Sequence, residues 1–464
     1  MRTRTVWTLL AGALLVVAVW LYFGRGPDEL GQWKAAAAAK GEKLSLKELV
    51  SPVTSETTSA MARLTGAVSR LQVSAADPSV ISPMSPAAPG FAKVAWAQDS
   101  LDVARSRTAS WADFAVQMRQ NAEALEEIRA VLRNPPRSPS YDMLDPFGPS
   151  GPPLVAKRRA AYWLWGATAD ALHRGALDEA LTNLHAMVAF TKMNDEESLL
   201  VNQMVLVAVA GLAMGATWEA LQAPGWDEAR LTRLQEDWER VALLSRFERT
   251  LQLERAWGLA CFEYARTNHQ AASRSFRGSF GINSTDTLAQ AFNKDVFLPV
   301  WQKTWSKHDE LVYLRGTDKV LETIRKASAS RSYAEPRAFL AGWTQQSFLD
   351  QFRFPLSDAL VPNWGKALRA VMLKETLRQM VLTALAIKRY QLKHGEPPES
   401  LQRLLPEFLR ERPCDYMAGT TLLYERKPNG SFILYSVGEN GRDEHALADD
   451  IVWPQAEIVD TLNR

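Results

Sequence analysis

The chain has 464 residues, of which 47% are hydrophobic and 23% charged, a composition typical of a globular protein and not of a disordered chain. Its 54 basic and 52 acidic residues nearly balance, which argues against a nucleic-acid-binding protein, because basic residues dominate such domains. Its two cysteines exclude a disulfide framework and a cysteine-rich zinc module.

The N-terminal segment predicts a membrane anchor. Val6–Phe23 is a run of 18 residues without a charge, and a helix of that length, about 27 Å, spans the hydrocarbon layer of a bilayer. Arg2 and Arg4 precede the run, so the positive-inside rule places the N-terminus in the cytoplasm. We predict that residues 1–25 form a single-pass anchor in the inner (cytoplasmic) membrane and that the rest of the chain is periplasmic.

A cleaved signal peptide is the alternative for this segment. Signal peptidase needs small residues soon after the apolar run, and here that position holds Trp20, Leu21, Tyr22 and Phe23. These bulky side chains favour the uncleaved anchor.

Residues 26–109 contain many Ser, Thr and Pro residues, which predicts a stalk or linker with short helices. A helical domain over 110–362 is predicted to follow. It begins with a helix over 110–133 that Ser110 caps. Residues 154–192 carry apolar side chains at helical spacing on both sides of Arg174-Gly175, which predicts a helical hairpin.

Ser198–Trp218 is a run of 21 residues without a charge and contains a GxxxG motif at Gly211 and Gly215. It fits either a second membrane span or the central helix of a bundle. Asn202 within the run, and the need of the other helices for a core, favour the central helix.

The following residues are predicted to be helical with less regular spacing. Asp227–Arg266 carries apolar residues three and four apart, which predicts an amphipathic helix of several turns. For residues 267–362 we expect helices joined by long loops.

The last 102 residues, 363–464, predict an α+β domain. A long helix over Lys366–Lys393 ends at His394-Gly395, where glycine can adopt the left-handed conformation. Two β runs, Thr421–Arg426 and Phe432–Val437, flank an Asn-Gly turn and predict a hairpin. The predicted fold class is therefore mainly α: an N-terminal transmembrane helix, an extracytoplasmic helical bundle, and a small C-terminal domain of one long helix plus a hairpin or meander.

This C-terminal domain resembles the head of a major pseudopilin of type II secretion. The residues that carry the resemblance are Tyr390, His394-Gly395-Glu396-Pro397, Tyr435-Ser436-Val437-Gly438, Asn440-Gly441 and Asp449-Asp450-Ile451. The whole layout is similar to bacterial membrane-anchored envelope proteins with such a tail, a similarity that Lys40–Leu44 and Trp218-Glu219-Ala220-Leu221 share.

In the pseudopilin family the closing loop binds calcium through acidic side chains and main-chain carbonyls. The resemblance therefore implies a structural calcium site at Asn440, Asp443, Asp449 and Asp450. Two departures from the family pattern are Asn440, where the family often has Asp, and the segment Glu444–Ala448, which lacks the family's glycines.

The chemistry of the loop supports the same ion independently, because calcium takes six to eight oxygen ligands and tolerates loop carbonyls. A solvated acidic loop without an ion is the alternative.

Known catalytic motifs are absent from the sequence, which has no Gly-x-Ser-x-Gly, no Walker A loop and no His-Glu-x-x-His. Two hypotheses follow. The first is a non-enzymatic envelope protein that scaffolds or binds a protein partner. The second is an extracytoplasmic, hydrolase-like enzyme with a site assembled from residues 267–362.

Overall fold

The protein is described by a computed structural model, which covers residues 28–51, 54–103, 107–136, 154–193, 199–268, 295, 297–341, 354–360 and 363–457. The predicted anchor, 1–25, lies outside these residues. The described chain is mainly helical with small β-sheets, which confirms the predicted helical class.

The helices fall into three groups along the chain. The first group precedes the helical hairpin: α1 Glu29–Ala39, α2 Leu46–Leu49, α3 Ser55–Arg70, α4 Trp111–Gln120 and α5 Ala122–Arg133. The second forms the centre of the bundle: α6 Leu154–His173, α7 Leu177–Phe190, α8 Leu200–Gln222, α9 Glu228–Glu239 and α10 Leu243–Thr267. The third is α11 Leu298–Lys303, α12 Ser306–Ser330, α13 Ala334–Ala341, α14 Pro355–Leu360 and α15 Trp364–His394.

The strands form four small sheets. Near the N-terminus lie β1 Ser85–Ala88, β2 Phe91–Lys93, β3 Leu101–Val103 and β4 Arg107–Ala109. Near the C-terminus lie β5 Cys414–Asp415, β6 Thr420–Thr421, β7 Leu423–Arg426, β8 Phe432–Ser436, β9 Ile451–Val452 and β10 Gln455–Glu457. β10 pairs in parallel with β2, so two segments that are far apart in the chain share one sheet.

One hydrophobic core crosses the predicted domain boundaries. It extends from Met61 to Trp453 and includes residues of α3 to α10, α12, α15 and the C-terminal sheet. Leu64 and Ala67, which lie in the predicted stalk, are fully buried in it. A smaller cluster joins Leu30 to α10 and α12. The boundaries at 109/110 and 362/363 therefore do not separate independent cores.

Two predicted helices are each divided in two. The helix predicted over 110–133 is interrupted at Asn121, whose amide pairs with the backbone N–H and carbonyl of Gln72. The helix predicted over 227–266 is interrupted between Glu239 and Leu243. There the carboxylate of Glu375 accepts the N–H groups of Leu243 and Leu244 and caps the start of α10. Both interruptions depend on tertiary contacts.

The central helix α8 packs inside the body. Among the described helices, α8 alone is long and apolar enough to cross a membrane, as judged by length and composition. Of its most apolar stretch of 18 residues, 72% is buried. Its GxxxG glycines accommodate other segments: a Cβ at Gly211 would lie 2.8 Å from Lys374 Nζ, and one at Gly215 would lie 3.0 Å from Pro83 Cγ. These contacts fit the central-helix alternative.

The C-terminal elements follow the sequence prediction closely. α15 ends at Gly395, which has a φ of 83°, and β7 and β8 pair antiparallel around the turn that contains Gly430. The hairpin over 154–192 is also confirmed as α6 and α7.

Candidate functional site

The loop predicted to hold calcium, residues 438–450, connects β8 to β9; we call it the acidic loop. Gly438 has a φ of 63°, and a Cβ there would lie 2.2 Å from the carbonyl oxygen of Asp449. Only glycine therefore allows the two ends of the loop to meet. His445, Ala446 and Ala448 adopt positive φ without being glycine, so the backbone of this part of the loop is strained.

Two of the predicted ligands meet in this loop. Asn440 Nδ2 donates to Glu444 Oε1 at 2.8 Å and to Asp449 Oδ2 at 3.3 Å. Glu444 Oε2 in turn accepts the N–H of Asp449 at 3.0 Å. Hydrogen bonds thus join Asn440 and Asp449 through Glu444, which was not among the four predicted ligands.

Asp443 and Asp450 make separate contacts. Asp443 Oδ1 accepts the His445 N–H at 2.9 Å and the Tyr435 hydroxyl at 3.1 Å, and the His445 bond is the main cause that lowers the pKa of Asp443. Asp450 Oδ2 accepts the N–H groups of Glu444 and Ala446 at 3.1 and 2.8 Å. Asp450 Oδ1 is buried and accepts no hydrogen bond from the described residues. Burial is the main cause that raises the pKa of Asp450.

The oxygen atoms of the acidic loop can be compared with the ligands that calcium needs. The donors are carboxylate, amide and carbonyl oxygens, which suit a hard cation, and Asp450 Oδ1 is an oxygen with no other bond to keep. Within the described residues, however, no three or more Asp, Glu, His or Cys side chains form a group that could hold a metal ion. An ion here would therefore draw its remaining ligands from Asn440 and from main-chain carbonyls.

On one side of the acidic loop lies a cleft of about 350 Å³ that we call the arginine cleft. Arg337 of α13 donates to the Glu439 carbonyl, and Arg369 of α15 pairs with the Glu439 carboxylate. Asn440 and Asp449 also line this cleft. The two arginines attach the loop to the helical body.

On the other side lies an apolar groove of about 560 Å³. One wall is the β1–β2 hairpin, residues 84–92, and the other is formed by 446–454. Phe91 and Leu447 remain 44% and 60% exposed there. Together with the alanines and prolines of the two walls they line one groove, and a contiguous exposed apolar surface is typical of a binding site. The two walls come from segments far apart in the chain, so sequence reasoning did not find the groove.

Hydrogen bonds from α8 hold both walls of the groove in place. The buried carboxylate of Glu219 accepts the N–H of Met84 at 3.1 Å and the N–H of Ala95 at 3.0 and 2.9 Å. Burial raises the pKa of Glu219 to about 7. Trp218 Nε1 donates to the Pro454 carbonyl at 2.8 Å. Adjacent residues of one helix thus fix both walls.

The alternative site, residues 267–362, is described only in part, because 269–294 and 342–353 lie outside the described residues. Asp309, a fully buried carboxylate of this segment, accepts the Trp301 indole N–H at 3.0 Å and the N–H groups of Leu356 and Ser357 at 3.2 and 3.1 Å. Burial raises the pKa of Asp309 to about 6. These contacts cap the N-terminal end of α14, so Asp309 has a structural role.

Comparison of the chain with protein-family models, with curated proteins and with solved structures gives no match.

Proposed function

We propose that this chain is a non-enzymatic, single-pass protein of the bacterial inner membrane whose periplasmic body is a scaffold for a protein partner. The observation that carries the proposal is the apolar groove with its exposed Phe91 and Leu447. Exposed apolar side chains lose contact with water when a partner covers them, which favours association. The uncharged run near the N-terminus supports the membrane attachment.

The groove is suited to binding because its walls are preorganised. Glu219 and Trp218 fix them to α8, and the Gln455 N–H donates to the Gly90 carbonyl at 2.9 Å, which joins the two segments directly. A surface that is already ordered loses less conformational entropy on binding. The expected occupant is an apolar segment of another envelope protein.

Native electrophoresis of mildly solubilised membranes tests this function. We expect the full-length chain at its native expression level to migrate as a complex larger than the monomer. Leu447→Asp combined with Phe91→Asp should release the monomer, because two carboxylates would be buried in an apolar interface. Val73→Asp, at a position 50% exposed outside the groove, is the matched control and should retain the complex.

A wild-type chain that migrates as a monomer would remove the basis for a scaffold. A complex that survives both groove substitutions would place the interface elsewhere.

We further propose that the acidic loop binds calcium as a structural ion, with Asp450 Oδ1, Asn440 and main-chain carbonyls as ligands and with Asp443 and Asp449 as neighbouring negative charges. The support is the buried, unbonded oxygen of Asp450 together with the negative charges of Asp443, Glu444 and Asp449 around it. A cation would offset their mutual repulsion. Because the loop forms a wall of both clefts, the ion would stabilise the groove.

Calcium titration of chelator-treated protein tests the ion site. Calcium should raise the midpoint of thermal unfolding, because a ligand that binds only the folded state stabilises it. Asp450→Asn should abolish the rise: its carbonyl oxygen can still accept the N–H groups of Glu444 and Ala446, while an amide NH₂ replaces Oδ1. Asp178→Asn, an exposed substitution distant in sequence, is the control. An equal midpoint with calcium and with chelator would contradict the site.

A further inference from the structure

A cleft of about 320 Å³ lies among α8, α15, the start of β8 and β10; we call it the lysine cleft. Of the described residues that line it, only Pro454 also lines the apolar groove. The volume is at the lower end of the range for small-molecule pockets, about 300–1,000 Å³, so a ligand here has to be small. The apolar part of the lining consists of Leu221, Ala384, Phe432, Trp453, Pro454 and Ala456.

Lys388 supplies the charge of the lysine cleft, because no other described residue that lines it is an acid or a base. Its side chain is partly buried and forms no ion pair or hydrogen bond with a described residue. Burial lowers the pKa of Lys388, since a partly desolvated ammonium group without a counter-charge favours its neutral form. An anion in the cleft would supply that counter-charge.

Two neutral donors line the cleft together with this ammonium group. Gln391 follows Lys388 by three residues on α15, so both side chains project from the same face of the helix. The side-chain amide of Gln391 and the indole N–H of Trp453 have no acceptor among the described residues. All three donor nitrogen atoms retain contact with solvent, so a ligand can reach them.

We propose that the lysine cleft binds a small monocarboxylate with an apolar body. Its carboxylate accepts the donors of Lys388, Gln391 and Trp453, since a carboxylate has about four acceptor positions. Its apolar body contacts Leu221 and Phe432. One ammonium group balances one negative charge, whereas a phosphate dianion would bring an unpaired charge into the same site. The site is independent of the scaffold function proposed above.

Calorimetric titration of the full-length, detergent-solubilised protein with benzoate tests the proposal. We expect benzoate to bind with a Kd on the order of 1 mM or below. Benzamide has nearly the same shape without the charge and should bind at least about tenfold more weakly. Inorganic phosphate has charge without an apolar body and should also bind at least about tenfold more weakly.

The same chemistry occurs in a free organic acid and in the C-terminal residue of a polypeptide. N-acetyl-L-phenylalanine represents the second source, because it carries a blocked backbone nitrogen beside the carboxylate. Tighter binding of this compound than of benzoate would assign the carboxylate site to a polypeptide terminus, and weaker binding would assign it to a free acid.

Variants of α15 locate the binding in the lysine cleft. Lys388→Met removes the ammonium group, nearly keeps the length of the side chain and should weaken benzoate binding at least about tenfold. This variant should unfold at no lower temperature than the wild type, because it removes an unpaired, partly buried charge. Gln391→Ala should weaken binding about three- to tenfold. Lys366→Met, at an exposed position of α15 outside the cleft, is the matched control and should bind benzoate as the wild type does.

Three results would each overturn the proposal: no binding of benzoate, binding of benzamide as tight as that of benzoate, or an unchanged affinity for benzoate in Lys388→Met.

Discussion

Several buried carboxylates in this protein act on backbone amides of a neighbouring segment. Glu219 holds Met84 and Ala95, Glu254 accepts the N–H of Leu200 at 2.6 Å, and Glu375 caps α10. Buried acids are expensive unless hydrogen bonds satisfy them. Here each such bond fastens one segment of the chain to another, so these residues act as internal cross-links.

The raised pKa of Glu219 predicts a pH effect on stability. The folded pKa of about 7 lies above the ordinary value of 4.5, so the stabilisation linked to its protonation is complete below about pH 4.5 and is lost as the pH rises through 7. Glu219→Gln stays neutral and should remove this loss. Between pH 5 and 8 the free energy of unfolding should then decline by about 2–4 kcal/mol less than in the wild type.

Urea unfolding at pH 5, 6, 7 and 8 measures this difference. Glu56→Gln, on the exposed face of α3, is the matched control and should decline in parallel with the wild type. A Glu219→Gln variant that also declines in parallel would show that the carboxylate does not titrate with the fold.

Among the helices, α10 and α12 show how closely the elements pack. Gly258 of α10 faces Tyr313 of α12: a Cβ there would lie 2.3 Å from the hydroxyl oxygen and 2.4 Å from Cζ. Tyr313 is 2% exposed, and its hydroxyl donates to the Glu254 carbonyl at 2.8 Å. The ring therefore cannot move aside without breaking that bond.

We predict that Gly258→Ala lowers the free energy of unfolding by about 1–3 kcal/mol, because overpacking outweighs the better helix propensity of alanine. Gly66→Ala in α3 is the matched control. Nothing lies within 4 Å of a Cβ there, so this change should stabilise by about 0.5–1 kcal/mol. Urea unfolding of both variants tests the prediction, and a stabilised Gly258→Ala protein would contradict the packing.

Elements set by local signals could be predicted from the sequence. The α6–α7 hairpin, the end of α15 at Gly395 and the β7–β8 hairpin all follow from periodicity and glycine chemistry within a few residues. The interruptions at Asn121 and before Leu243 could not be predicted, because the backbone there is held by Gln72 and Glu375 from distant parts of the chain.

The candidate sites also differ in whether the sequence alone could reveal them. The acidic loop could be found because its acidic residues are close in sequence. The apolar groove and the arginine cleft could not, since each joins helices or strands that are far apart in the chain. In the sequence, Glu219 stood out only as part of Trp218-Glu219-Ala220-Leu221, a motif similar to one in bacterial envelope proteins. Its hydrogen bonds to Met84 and Ala95 can be seen only in the folded structure.

For the whole molecule, the central claim is a membrane-anchored body that presents the apolar groove on the periplasmic side. Val73, which lies in the body outside the groove, is 50% exposed, so a partner bound in the groove does not cover it. A reagent that cannot cross the inner membrane should therefore reach this position in cells with a permeabilised outer membrane.

The most direct measurement is labelling of Val73→Cys with a membrane-impermeant maleimide. Cys414, which is partly exposed, is replaced by serine, whereas the buried Cys261 is retained. Arg4→Cys, on the predicted cytoplasmic side, is the control. The account predicts that Val73→Cys is labelled before lysis and Arg4→Cys only after it. Labelling of Val73→Cys only after lysis would place the body in the cytoplasm and contradict the proposed function.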